Sequence, residues 1–257
     1  EDYNMGLVDI YDRPYQEVLT SFQGTNPLLA RFHARANLSW PRPQDAPIVM
    51  IPQAAGIIDV TDASLTDWNK ERTLMPGFVA EPPHVPFADI YLMWDPGGLY
   101  LATIGMDYMN PADVSYEETF PLSETYQLHL LVFLRGQAYH LAIHFMPDEI
   151  KFAADAATNA RGSVVMTPHL YTYSADGKVQ PLSGATAQHL KAESPRVSCE
   201  VHLAPEVFGL SAFIQGMRMQ MNIVVISHYR GQEMFWSEGT AKNTFSRPEG
   251  WREVALG

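Results

Sequence analysis

Histidines and carboxylates carry most of the chemistry that this sequence offers. His140 and His144 share parity along one extended run and His129 lies in the run before it, so two or three imidazoles could meet across a hairpin on one sheet face. Their spacing matches no metal signature, and an exposed or hydrogen-bonded structural role is the plainer reading. Glu117, Glu118 and Glu200 could supply an acid/base pair, since glycosidases hold two carboxyl groups about 5 to 10 Å apart. Glu200 falls within a predicted strand, which favours a structural or ligand-rim role over chemistry. The chain has no Gly-x-Ser-x-Gly elbow, no phosphate-cradling glycine loop and no metalloprotease helix. Cys199 is the single cysteine and cannot close an intrachain disulfide; its place in a predicted strand makes it a buried, inert thiol. Cysteine usage therefore leaves the compartment open.

The elements that must position these groups are extended ones. From about Leu38 onward the sequence is a succession of short apolar runs broken by turn residues. Strands are predicted at Ile48 to Ile51, Ala88 to Trp94, Leu99 to Ile104, Tyr126 to Leu134, Ala138 to Phe145, Arg196 to Leu203, Met219 to Ser227, Met234 to Trp236 and Glu253 to Leu256. Many short strands without long amphipathic helices between them predict a mainly β protein, an antiparallel β-sandwich of jelly-roll-like form. Arg135-Gly136-Gln137 and the stretch from His228 to Gln232 read as hairpin connections. Between Pro147 and Pro195 the pattern is less regular, and it predicts a helix or loop followed by a hairpin that turns at Ser174 to Lys178.

The first 40 residues differ in texture. Asp12 as cap, Pro14 in the first turn and Tyr15, Val18, Leu19 and Phe22 on one stripe predict a helix that ends at Gly24. A second helix starts at Asn26 and Pro27, and Met5 to Tyr11 reads as a short extended segment before both. Pro41, Pro43 and Pro47 form a stiff linker, which predicts a helical segment over 1–40 and a sandwich domain over 41–257.

Composition bounds the partners. At 257 residues, 46% of them hydrophobic, the chain holds one large domain or one domain with an appendage. The formal charge of −12 repels phosphate backbones, and no Lys/Arg cluster reverses it locally, so nucleic acid is excluded as a partner class. No apolar run approaches the roughly 20 residues that a bilayer crossing needs. Glu1, in place of an initiator Met, predicts a processed product or a piece of a longer polypeptide.

Three separated segments carry a family resemblance: Ala88 to Leu101 (ADIYLMWDPGGLYL), Cys199 to Pro205 (CEVHLAP) and Pro248 to Leu256 (PEGWREVAL). Together they resemble the framework of a family 9 carbohydrate-binding module, a β-sandwich of the wider DOMON-like group often appended to secreted glycosidases. Ile57 to Trp68 is similar to the opening motif of that family, in which an Asp-containing turn leads to a Trp packed beneath the sheets. The resemblance implies binding of a polysaccharide or oligosaccharide rather than catalysis, and an extracellular or periplasmic location. Gly6 to Tyr15 (GLVDIYDRPY) is similar to the closing strand and helix of agarase-like (β/α)8 glycoside hydrolases, which implies an upstream catalytic domain. A helical arm packed on the sandwich is the alternative for that stretch. Some DOMON domains bind haem through Met and His, but the 12 Met residues here read as core filler.

A sugar site needs a flat aromatic face beside planar amides, carboxylates or Arg. In the family these come from two loops, one before the strand that carries Gln127 and one before the final strand. The resemblance thus points to Tyr116, Phe120, Gln127, Phe245 and Arg247, with Trp236 near a strand end as a further candidate. The usual tryptophans are missing from both loops, and Gln127 stands where the family commonly has a carboxylate. A module that has lost its site and only supports a neighbour is the other reading. The family also often carries structural calcium near its early turns, which here implies Asp59, Asp62, Asp95 and Asp107.

Overall fold

The structure is a computed structural model that describes residues 48–62, 64–80, 86–107, 122, 125–151, 163–189, 196–227, 232–237 and 248–257. The predicted N-terminal helices, the linker prolines before Ile48, and Tyr116, Phe120, Phe245 and Arg247 lie outside these residues. No helix among the described residues is long and apolar enough to cross a membrane.

The described chain is a β-sandwich. Its strands are β1 (Val49–Ile51), β2 (Val79–Ala80), β3 (Ala88–Asp95), β4 (Gly98–Met106), β5 (Tyr126–Leu134), β6 (Gln137–Lys151), β7 (Ser163–Tyr173), β8 (Val179–Pro181), β9 (Ala185–His189), β10 (Arg196–Leu203), β11 (Arg218–Ser227), β12 (Gln232–Phe235) and β13 (Arg252–Leu256). The large sheet runs β1-β13-β11-β5-β6-β7-β8, with β12 continuing the β11 edge and carrying β2. The small sheet runs β3-β4-β10-β9. All pairings between these strands are antiparallel except β1 with β13.

Period-two alternation sorts the side chains into layers. Ile90, Leu92 and Trp94 of β3, Leu99 and Leu101 of β4, and Val197, Cys199, Val201 and Leu203 of β10 face the interior. Tyr126, Leu128, Leu130 and Val132 of β5, Ile143 and Phe145 of β6, and Met221, Ile223 and Val225 of β11 meet them from the large sheet. Each fully buried aliphatic or aromatic side chain contributes roughly 1.5–3 kcal/mol. This central layer therefore dominates the stability. The burial of Cys199 pushes its thiol well above the usual range, as an inert core residue requires.

Both sheets also bury part of their outer faces. Over the small sheet the strap from Ala54 to Trp68 lays Val60, Leu65 and Trp68 on Tyr91, Met93, Tyr100 and Ala102. On the large sheet Leu131, Val224, Phe235 and Trp251 form a second apolar island. The near-continuous apolar run of β11 (RMQMNIVVIS) follows from this two-sided burial.

The irregular region differs from expectation at β9, an unexpected strand that pairs with β10 in the small sheet, and at β6. β6 does not stop at Phe145 but continues through Pro147 to Lys151, and a register shift between Pro147 and Glu149 absorbs the missing amide donor. The predicted turn at Ser174 to Lys178 is present and joins β7 to β8. Arg135 and Gly136 both adopt positive φ, 51° and 83°, and close the two-residue turn between β5 and β6.

Candidate functional site

Among the described residues the outer face of the large sheet holds a cluster of imidazoles, phenols and an amide. Register places Gln127 and His129 of β5, His140, Ala142 and His144 of β6, and His169, Tyr171 and Tyr173 of β7 on that one face. Ala142 sits opposite His129 and between the two β6 imidazoles, and its small side chain leaves room for the rings to lean together. His140 stacks on Tyr173 with centroids 4.4 Å apart, and His129 lies 5.1 Å from His140 and 5.7 Å from Tyr173. The meeting of imidazoles that strand parity predicts is thus present, with two tyrosines added.

The hydrogen bonds fix the tautomers. Gln127 donates its Nε2–H to the Leu122 carbonyl at 3.0 Å, so its Oε1 is the atom that faces His129 Nε2 at 2.8 Å. His129 Nε2 must therefore carry a proton, and its Nδ1 presents a lone pair to His140 Nε2 at 2.9 Å. It follows that His140 Nε2 is the donor in that bond. His144 Nδ1 donates toward the Leu122 carbonyl at 3.1 Å and the Thr125 hydroxyl at 2.9 Å, and its Nε2 accepts the Tyr173 hydroxyl at 2.8 Å. Burial holds His129 well below the usual imidazole range. It lowers both His140 and His144 to about 4, with the neighbouring His144 adding to the shift at His140 and the Leu122 carbonyl opposing it at His144. The cluster is neutral at physiological pH.

Leu122 is the hub of this network. Its carbonyl accepts from Thr125 Oγ1 at 2.8 Å, from Gln127 Nε2 and from His144 Nδ1. The chain thus enters β5 through a fixed point, directly after the segment that carries Tyr116 and Phe120. Gln127 is buried, and its second amide hydrogen and second carbonyl lone pair are uncommitted.

Trp236 belongs to the core and not to an open rim. It is fully buried, donates Nε1–H to the Pro76 carbonyl at 2.8 Å, stacks on Phe78 and lies beneath the Arg252 guanidinium, 5.3 Å from the ring centroid. Both ring faces are covered, so this orientation offers no platform to a pyranose.

The four aspartates expected around calcium do not converge on one ion. Asp59 accepts from the Thr61 amide and hydroxyl, and Asp62 accepts from the Ser64 amide at 2.8 Å, both in the strap over the small sheet. Asp95 accepts from the Gly97 amide at 2.7 Å and the Tyr100 hydroxyl at 3.0 Å in the β3–β4 turn. Asp107 lies buried beyond the far end of β4, about 25–30 Å along the strand from Asp95, and accepts from the Ser227 hydroxyl at 2.6 Å. Among the described residues no group of three or more His, Cys, Asp or Glu side chains is arranged to hold a metal ion.

Sequence reasoning did not foresee the partners of Glu200. Its buried carboxylate accepts from Trp68 Nε1 at 3.1 Å and the Ser64 amide at 3.2 Å, which ties the strap to β10. Burial raises this carboxyl to about 7, the two N–H donors oppose the shift, and the charges of Asp62 and Asp67 add to it. The alternation of β10 is the one local signal that sets Glu200 apart from the core face, because its partners stand more than 130 positions away. Tyr171 and Tyr173 were visible as a period-two series with Thr167 and His169.

No protein-family model and no curated protein matches the chain. Solved structures share its fold. A candidate carbohydrate-binding protein from Bacteroides uniformis ATCC 8492 superposes with a TM-score of 0.52 at 9% identity, covering 82% of this chain and 98% of the other. A family 9 carbohydrate-binding module from Caldicellulosiruptor kristjanssonii in complex with glucose gives a TM-score of 0.50 at 14% identity, covering 82% of this chain and 96% of that one. At these identities the likeness establishes the β-sandwich architecture.

Proposed function

We propose that the chain is a noncatalytic carbohydrate-binding or supporting module of a polysaccharide-degrading glycoside hydrolase, with its sugar site on the outer face of the large sheet. The observation that carries the reading is the placement of Gln127. It lies on β5 in a neutral strip of amide, imidazole and phenol groups that runs through His129, His140 and His144 to the half-buried rings of Tyr171 and Tyr173 on β7, and β5 follows the Tyr116 and Phe120 segment in sequence. The second amide hydrogen and second carbonyl lone pair of Gln127, on a face that also carries aromatic rings, are the kind of groups that sugar hydroxyls and the apolar face of a pyranose require. The glucose-bound module of the same architecture supports the reading. Phe245 and Arg247, in the sequence segment before β13, belong to the same proposal as further sugar contacts. An upstream catalytic domain and an extracellular or periplasmic location belong to the same proposal, as does calcium in the Asp59 and Asp62 turn.

Isothermal titration of the chain with glucose and with cello-, xylo- and agaro-oligosaccharides tests it. Saturable heat with at least one series is expected, and Gln127→Ala should weaken it about tenfold, the equivalent of one lost hydrogen bond of about 1.4 kcal/mol. Absence of binding to every series refutes the sugar site, and release of reducing sugar refutes the noncatalytic assignment.

A further inference from the structure

We propose that His129 Nδ1 and His140 Nε2 form a two-imidazole chelate for a transition-metal dication, Zn2+ or Cu2+, with water completing the coordination. The proposal goes beyond the carbohydrate reading and does not depend on it.

Three features of the cluster support it. First, the two nitrogens already point at one another at 2.9 Å across neighbouring strands of one rigid sheet. Zn–N bonds of about 2.0–2.1 Å in tetrahedral geometry separate two ligand nitrogens by about 3.3 Å. A metal ion replacing the shared proton would open the pair by roughly 0.4 Å, which two side-chain torsions can absorb. Second, His129 is oriented as metal-bound imidazoles are. Its other ring nitrogen donates to a fixed acceptor, Gln127 Oε1, whose amide is pinned in turn by the Leu122 carbonyl. The tautomer that presents a lone pair at Nδ1 is therefore set before any ion arrives. Third, the site has a way in: His129 is buried, but His140 and Tyr173 are partly open to solvent, so waters reach the outer side of the ion.

The exchange balances without a redox partner. His140 gives up the proton on Nε2 and returns to the neutral ring by carrying one on Nδ1, so no net proton is released at neutral pH. Nitrogen donors select borderline ions over Ca2+ or Mg2+, and Cu2+ binds more tightly than Zn2+ to such a pair. The His144 ring is not a ligand in this scheme, because its Nε2 is occupied by the Tyr173 hydroxyl.

The test is calorimetric titration of the full chain with Zn2+, Cu2+ and Ca2+, paired with imidazole NMR spectra. One Zn2+ or Cu2+ per chain is expected at this site, with the ring signals of His129 and His140 perturbed first and Ca2+ without effect on them. His140→Gln keeps an N–H donor for His129 Nδ1 but removes the second ligand, so it should weaken binding at least about tenfold. Gln127→Leu removes the orienting acceptor and should weaken it about 10–100-fold. Failure of wild-type protein to bind either ion at millimolar concentration overturns the proposal. So does undiminished binding in a folded His140→Gln variant, or first perturbation of other histidines. The wild-type spectra keep the proposal refutable even where a variant does not fold.

Discussion

Replacing Glu200 with Gln should remove a pH dependence that this one carboxyl builds into the fold. The side chain is buried on β10 beneath the strap, and its folded-state pKa of about 7 lies above the ordinary carboxyl value of 4.5. Between those two values the native chain holds a proton that the unfolded chain has released, so stability falls as pH rises through the window. Each unit of displacement corresponds to about 1.4 kcal/mol, which sets a ceiling of roughly 3 kcal/mol. The strap surface beside it is open to water at Asp59, Asp62 and Asp67, and this screening brings the working value to about 1–2 kcal/mol. Urea denaturation of wild type and Glu200→Gln at several pH values from 4.5 to 8 reads the effect. The difference in unfolding free energy, variant minus wild type, should rise by about 1–2 kcal/mol across that range, since every other titrating group cancels in the subtraction. The variant should also carry a pH-independent deficit, because the NH2 of Gln takes the place of one carboxylate oxygen and sets a donor against either Trp68 Nε1–H or the Ser64 amide. A difference that stays flat with pH refutes the argument that buried Glu200 is protonated in the native state.

Two further outcomes follow from packing. A methyl group at Gly105 would overlap the Tyr126 phenol oxygen and press on Ala88, so Gly105→Ala should cost about 1–3 kcal/mol in thermal or chemical denaturation, and a background of Tyr126→Phe should recover part of that loss. If Trp236 acts as a core residue, Trp236→Phe leaves the Pro76 carbonyl without its donor and should lower stability by about 1–3 kcal/mol, measured by urea denaturation.

Strand boundaries were legible where turn residues bracket an extended run. Tyr126–Leu134 and Arg196–Leu203 match the expected limits, because each has one face in the central layer and turn residues at its ends. Pro147 misled because a proline ordinarily ends a strand; the register shift beside it lets β6 continue. Trp236 follows β12, at the edge of the apolar island, where both faces of the sheet are covered and period-two reasoning cannot tell core from ligand. Strand parity did bring the three histidines to one face, yet their tautomers depend on the Leu122 carbonyl, a main-chain atom that no side-chain pattern reveals. The link between Glu200 and Trp68 is non-local and equally invisible to local pattern.

The acceptor at the centre of the polar strip has a bearing on how such a fold tolerates sequence change. Thr125, Gln127 and His144 all fasten onto a peptide oxygen, which every amino acid at position 122 would present. The mounting of the histidine cluster thereby stays constant whatever side chain stands at position 122.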